Sequence, residues 1–216
     1  MRPPPERITV PLSLPPLPEF GAAATSRPGG RDVVQVVTAD HRRIAALCAE
    51  LADPGTPADR RHRVAQVVTA MLTRHLCAEE QYLYPAVRDA VPDGEELAGR
   101  EVAEDRAILR TLLDLAAAAP DGEDFDRLAG SVAVQVRRHT DAAEGELLPL
   151  LAQMASAEEL IRLGNRFELA AEAAPTRPHP GTPATPPWNK VVDPTVGVLD
   201  KVRDAVSRRV TYAEDL

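Results

Sequence analysis

The sequence predicts an all-α protein: an antiparallel, up-down-up-down four-helix bundle with an additional C-terminal helix and Pro-rich terminal arms. Three observations predict this fold. Apolar residues recur at helical spacing in long segments, and no segment alternates with the period of two that a strand requires. Pro-Gly and Pro-Asp-Gly clusters separate the segments, and such short connections favour antiparallel neighbours. Of the 21 prolines, eight lie in residues 1–30 and seven in 175–195, so the middle of the chain is poor in proline.

The proline distribution predicts three parts. Residues 1–30 are expected to form a mostly disordered arm because their proline spacing prevents a helix. Residues 31–174 are expected to form the helical bundle, which is a normal size for one domain. Residues 175–216 are expected to form a Pro-rich tail with a short amphipathic helix that starts near Asp193-Pro194. The apolar stripe of this short helix comprises Val196, Leu199, Val202 and Val206.

Helix boundaries follow from turn and capping residues. Pro85 and Pro149 are expected to bend the second and fourth helices near their ends. Ser156 and Glu159 form a capping box that marks the start of the fifth helix. The five predicted helices span residues 32–51, 57–90, 95–119, 123–151 and 157–173.

Composition excludes several classes of protein. The net charge of −8 and the aromatic content of 3% argue against a nucleic-acid-binding surface. No apolar run approaches the ~18 residues of a membrane span. Two cysteines cannot build a disulfide scaffold. Because proline interrupts the N-terminal sequence, no secretory signal is predicted there, and a cytoplasmic location is expected.

An ionisable side chain interrupts the apolar seam of each of the first four helices. His41 lies in the first seam, and His75 and Glu79 occupy consecutive turns of the second. Asp105 interrupts the third seam, and His139 interrupts the fourth. Burying one such group without a partner costs several kcal/mol, so the five are expected to satisfy one another or to share a cation.

The depth of these residues also favours a shared site. At ~1.5 Å per residue, four antiparallel helices bring the five side chains to a common level. Histidines and carboxylates that face each other in a bundle core form a first-row transition-metal site. The alternative is that each is an ordinary hydrogen-bonded core residue, with Asp105 paired to Arg106 or Arg110. Because such residues occur at one depth on all four helices, the sequence favours a shared metal site over separate core residues.

Three segments resemble the hemerythrin-like HHE cation-binding domain: DHRRI (40–44), RHLCAEEQYLYP (74–85) and RRHTDAAEGELLPLL (137–151). The resemblance covers about residues 32–151. It implies a four-helix bundle that holds two irons, bridged by carboxylates and an oxygen species and ligated by histidines. The positions that match the family's ligands are His41, His75, Glu79 and His139. Glu79 matches the bridging carboxylate.

Two positions depart from the family pattern. The third helix has Asp105 where the family has histidine, a change that favours Mn²⁺ or Fe³⁺ over softer ions. Glu101, one turn earlier, is a weaker candidate ligand. The fourth helix has Ala143 where the HHE motif has glutamate, and alanine cannot ligate a metal.

Glu144 is the candidate that replaces the missing glutamate. It lies five residues after His139, the His-x-x-x-x-Asp spacing of the oxygen-carrying hemerythrins. In an ideal helix it would point sideways, but a local widening near Gly145 with one i→i+5 bond would turn it inward. Tyr82 is predicted to continue the second seam as a core aromatic, with metal ligation as the alternative.

The resemblance implies a non-haem metal-binding protein with a carboxylate-bridged di-iron centre, or manganese as the alternative metal. It would bind or react with O₂, peroxide or nitric oxide in sensing or stress defence. We expect a metal- and oxygen-binding protein rather than a dedicated enzyme, with peroxidase- or catalase-like side activity. Neither nucleic acid nor membrane is an expected partner. The terminal arms would dock on the bundle, on a second copy or on another protein.

The alternative function is a divergent bundle with a decayed or mononuclear metal site that acts as a binding or regulatory module. Two residues discriminate between the hypotheses. If Glu144 points to solvent and Asp105 pairs with an arginine, the remaining histidines and Glu79 can hold one ion but not a bridged pair.

Overall fold

A computed structural model describes residues 29–179, 198, 200–201, 203–205, 207 and 209–216. The all-α prediction is confirmed, since the described residues contain helices and no strand. The antiparallel order and the three-part division of the chain stay predictions. The helices are α1 Val33–Ala52, α2 Ala58–Ala78, α3 Tyr84–Ala90, α4 Gly94–Ala117, α5 Glu123–Ala142, α6 Leu148–Met154 and α7 Ala157–Ala173.

Two π-helical turns, Glu79–Leu83 and Ala143–Leu147, each join a long helix to a short one. In each, the N–H of the residue after the turn donates to the carbonyl five residues earlier. Pro85 and Pro149 follow in the first turns of α3 and α6. A proline ring clashes with the carbonyl four residues before it in a regular helix, and the extra residue of a π turn relieves that clash. The two predicted bends are therefore π turns placed just before the prolines.

Local sequence sets the starts of two other helices. α7 begins after the predicted capping box, in which the Ser156 hydroxyl and the Glu159 carboxylate each accept from the other residue's backbone N–H. α4 begins at Gly94, one residue before the predicted start. Asp93 has a left-handed φ of 58°, and a Cβ on Gly94 would lie 2.2 Å from the carbonyl oxygen of Val87. Only glycine fits this approach of α4 to α3.

The apolar side chains form two separate cores: α1, α2 and α4 contribute to both, α5 contributes to the second and α7 to the first. Along α1, Val37 belongs to the first core and Ile44 to the second, with His41 between them. The first core also contains Tyr84, Val87, Leu151, Leu163 and Phe167. The second core also contains Leu72, Leu76, Ile108, Leu112 and Phe125. A layer of polar side chains therefore lies between two apolar cores.

The described part of the tail packs on the bundle. Arg74 donates to the Thr211 carbonyl at 2.6 Å, and Arg60 donates to the Leu216 carbonyl at 2.7 Å. The backbone is helical at the described residues from 198 to 207. The predicted apolar stripe of this segment and residues 1–28 lie outside the described residues. Among the described helices, none has the length and apolarity that a membrane crossing requires.

Candidate metal centre

Five buried ionisable side chains occupy the polar layer, and they are the five that interrupt the predicted seams. His41 comes from α1, His75 from α2, Glu79 from the first π turn, Asp105 from α4 and His139 from α5. Each is at most 2% exposed. The three histidines and Glu79 each offer a ligand atom, and these four atoms lie within 4.8 Å of one another. The structure thus brings together residues that are up to 98 positions apart in the chain.

The Glu79 carboxylate lies at the centre of the three imidazoles. Its Oε1 is 3.3 Å from Nε2 of His75, and its Oε2 is 3.4 Å from Nε2 of His139. The His41 ring centroid is 4.9 Å from that of His75 and 5.4 Å from that of His139. One carboxylate therefore faces two imidazoles with its two different oxygens, while the third imidazole lies beside both.

The outer nitrogens of the imidazoles face a second set of carboxylates. A carboxylate hydrogen-bonded to Nδ1 holds the proton there and leaves the lone pair of Nε2 directed inward, and of the three pairs only His41 with Glu144 forms that bond. The distances from Nδ1 to the nearest such oxygen are 2.9 Å from His41 to Glu144, 3.6 Å from His75 to Asp40 and 3.4 Å from His139 to Asp105.

Tyr84 is a site residue that the sequence analysis missed. Its buried hydroxyl lies 3.0 Å from Oε2 of Glu79 and 2.8 Å from Oδ2 of Asp105, as a donor to these carboxylates. Tyr82, predicted as a core aromatic, is half-buried and packs against the first core. The π turn adds a residue, so the position five after Glu79 returns to the same face of the helix. The same five-residue spacing relates His139 to Glu144 and Glu79 to Tyr84.

Asp105 and Glu144, the candidates in place of the ligands that the family pattern would have, both lie beside imidazoles of the site. Glu144 is in the second π turn, and its carboxylate contacts His41 although its side chain is 40% exposed. Asp105 is fully buried and makes no ion pair with an arginine among the described residues. Glu101, the weaker candidate, is buried with an oxygen 3.9 Å from Nδ1 of His139, and burial raises its pKa to about 7.

The electrostatics of the metal-free site are those of a buried ion-pair network. Burial, with the charge of His75, lowers the pKa of His41 to about 3. Burial also opposes the charge on His75 and His139, but the carboxylates beside them, above all Glu79, raise their pKa values to about 10 and about 9. Burial would raise the pKa of Glu79, but the same two histidines lower it to about 2. Without a metal, two imidazolium cations therefore surround one carboxylate.

The donor set fits a transition-metal ion. Each buried polar atom without a hydrogen-bond partner costs about 1–3 kcal/mol, and a bound cation removes that cost for the donors it takes. Imidazole nitrogen and carboxylate oxygen are the donors that iron, manganese and zinc accept. The atoms at the site that lack a hydrogen-bond partner are Nε2 of His41, both nitrogens of His75 and of His139, Oε1 of Glu79, Oε2 of Glu101 and Oδ1 of Asp105.

Metal-free protein is expected to lose stability as pH rises from 7 to 10. The folded state holds the protons of His75 and His139 up to about pH 10 and 9, against an ordinary pKa of 6.5. Their stabilising contribution is therefore complete below pH 6.5 and is lost as pH rises through those values. His41, with its pKa near 3, does not titrate in this range. The urea midpoint of chelator-treated protein should fall across the range.

Glu79→Gln is the matched control for this pH dependence. Glutamine keeps the size of the side chain and removes the charge that raises both imidazole pKa values, so the fall in the urea midpoint should be smaller. A midpoint of the unsubstituted, metal-free protein that is constant or rises between pH 7 and pH 10 would contradict the ion-pair network.

Comparison with known proteins relates this chain to one domain family. Residues 32–151 match the Hemerythrin HHE cation binding domain. An uncharacterized hemerythrin-like protein of Schizosaccharomyces pombe is 25% identical over 138 residues, which cover 63% of this chain and 68% of that protein. A DNA nickase of Nostoc sp. is 26% identical over 153 residues, which cover 69% of this chain but only 42% of the nickase.

A solved structure is similar in fold. The crystal structure of a Hemerythrin HHE cation binding domain-containing protein from Mycobacterium kansasii matches with a TM-score of 0.58 and 19% identity. The match covers 66% of this chain and 86% of that one. At this identity the likeness concerns the fold alone. The matched domain ends at residue 151, within α6, so α7 and the tail lie outside it.

Proposed function

The chain belongs to the hemerythrin HHE cation-binding family, and from this premise we propose that it is a non-haem iron protein that binds or reacts with O₂, peroxide or nitric oxide. A role in sensing or stress defence follows from that chemistry. The observation that carries the proposal is the polar layer, in which the three histidines and Glu79 meet between two apolar cores. A bound cation would remove the cost of the buried donors in this layer that lack a hydrogen-bond partner.

We propose two irons per chain, with Glu79 as the bridging carboxylate. The two oxygens of Glu79 face different imidazoles, those of His75 and His139. Further donors lie on each side of the layer: His41 with Glu144, and Asp105 with Glu101. The carboxylate in place of a third-helix imidazole makes manganese the alternative metal. Iron, when bound, supplies the redox chemistry toward these small ligands.

The protein's own contribution is to orient the donors and exclude water. The Glu144 carboxylate on the outer nitrogen of His41 holds its inner nitrogen ready for a cation, and Asp40 and Asp105 face the outer nitrogens of His75 and His139. The Tyr84 hydroxyl fixes Glu79 and Asp105 relative to each other. The apolar cores on both sides leave the layer almost without solvent exposure. The same exclusion of water protects a reactive small ligand from side reactions.

A second candidate is a single-ion site, and one observation favours it. The histidines and Glu79 offer four donors within 4.8 Å, and their nitrogen–oxygen distances are 3.3 and 3.4 Å. The edge of a tetrahedral site with bonds of about 2.1 Å is about 3.4 Å. In this case Asp40, Asp105 and Glu144 would act only on the outer nitrogens of the imidazoles, and the bundle would serve as a binding or regulatory module.

The reaction proposal is tested with iron-loaded protein that has been reduced without oxygen. Mixing it with O₂, hydrogen peroxide or nitric oxide should change its visible absorption, and peroxide consumption measures the catalase- or peroxidase-like activity. Metal-free protein is the control and should show neither effect. Iron-loaded protein whose spectrum stays unchanged with all three ligands would contradict the proposal.

Tyr84→Phe is expected to destabilise metal-free protein by about 1–3 kcal/mol, because two buried carboxylates lose their hydroxyl donor. Urea unfolding in the presence of a chelator measures the loss. Tyr212→Phe is the matched control: its hydroxyl contacts Glu172 at the surface, and the loss should stay within about 0.5 kcal/mol. Equal effects of the two substitutions would show that Tyr84 does not hold the carboxylates.

A further inference from the structure

A pocket outside the metal layer lies along α2, α4 and the start of α5, where the tail packs on them. Its volume is about 410 Å³, within the range of small-molecule sites. It reaches Thr69 on α2, six residues from His75, or about 9 Å along the helix. No residue that we assign to the metal layer lines it. We call it the basic pocket, and its polar wall comprises Arg177, His179, Arg203 and Arg209.

The polar wall carries basic side chains and no carboxylate among the described lining residues. Two buried aspartates outside the lining hold three of these four side chains in place. Asp204 pairs with Arg177 at 2.6 Å and with Arg209 at 3.3 Å, and Asp200 lies 3.1 Å from the His179 ring. Because these ion pairs are made before any ligand arrives, Arg177, His179 and Arg209 are already ordered.

Two donors remain for a ligand. Nε of Arg177 is buried and has no hydrogen-bond partner. Arg203 is exposed and makes no ion pair among the described residues. A guanidinium with unused N–H groups recognises a planar oxyanion, and a carboxylate accepts from two such donors at once. The polar wall is therefore suited to one anionic head group.

The opposite wall is apolar. Phe125 and Leu113 line it together with alanines of α2 and α4. Leu113 is 40% exposed, so part of the apolar wall is accessible to a ligand. A ligand with an apolar body would cover this surface and remove it from water. We propose that the basic pocket binds an organic carboxylate with an apolar body of about eight carbons.

Octanoate is the probe, titrated calorimetrically into the full chain. Octanol and octylammonium have the apolar body of octanoate without its negative charge, and inorganic phosphate has a negative charge without the apolar body. Each should bind at least about tenfold more weakly than octanoate, because a charge-assisted hydrogen bond contributes about that much. Octanol binding as tightly as octanoate would show an apolar groove alone. Phosphate binding as tightly would show a general anion site. Either result, or no octanoate binding, would overturn the proposal.

Two substitutions locate the site. Arg203→Ala and Leu113→Gln should each weaken octanoate binding at least about fivefold. Arg127→Ala and Val134→Gln are the matched controls, since both side chains are exposed and outside the pocket. Unchanged affinity in both pocket variants would refute the location. Metal content should be the same in all four proteins, so this test can fail while the proposed metal function stands.

Discussion

Replacing Glu79 with alanine is expected to abolish metal binding. Glu79 faces two imidazoles with its two oxygens, and it is the carboxylate among the four converging donors. Its removal takes away a ligand of either a two-ion or a one-ion site. Removal of a supporting outer residue typically costs 10–100-fold in affinity, and loss of a central ligand should cost more than about 100-fold. Metal analysis after ferrous loading and desalting measures the effect.

Two variants make the Glu79 result interpretable. Glu80→Ala removes the neighbouring acid, which is only half-buried, and should leave the metal content unchanged. Glu79→Gln keeps the side-chain size and still loses the metal, so a failure of the alanine variant to fold does not obscure the outcome. Wild-type metal content in both Glu79 variants would show that the polar layer is not the metal site.

Phe167→Ala is expected to give the largest loss of stability, about 3–5 kcal/mol. Phe167 is fully buried on α7, and its ring lies 5.5 Å from that of His75 in an edge-on arrangement. Alanine would leave a cavity in the first core, beside the metal layer. The free energy of unfolding in urea, followed by circular dichroism, measures the loss.

Leu169→Ala is the matched control on the same helix. Its side chain is 61% exposed, so the substitution should change the free energy of unfolding by less than about 0.5 kcal/mol. Equal losses for the two variants would contradict the finding that α7, which lies outside the matched domain, completes the core over His75.

Local and periodic signals predicted much of this structure. The α7 boundaries agree with the prediction because the capping box and the turn before it are encoded in neighbouring residues. The seam interruptions identified the five central side chains because a buried charge in an apolar stripe is visible in one dimension. Their common depth followed from helix geometry alone, since each residue adds a fixed rise.

Other parts of the site depend on contacts between helices. Asp40 lies next to His41 in the chain, yet its carboxylate faces His75 on another helix. Tyr84 reaches the layer only because the π turn changes the phase of the helix. Glu101 is only a weaker candidate from the sequence, because a charged residue at the edge of an apolar seam resembles a solvent-exposed one. The spacing of residues within one helix does not predict these contacts, because they form only when the helices pack against one another.

Metal stoichiometry measured together with the absorption spectrum tests the central proposal most directly. Protein purified aerobically after growth with iron should contain about two irons per chain and show an oxo-to-iron charge-transfer band. About one metal ion per chain without that band would support the single-ion site instead. Less than one iron per two chains, with no such band, would contradict a di-iron centre in this bundle.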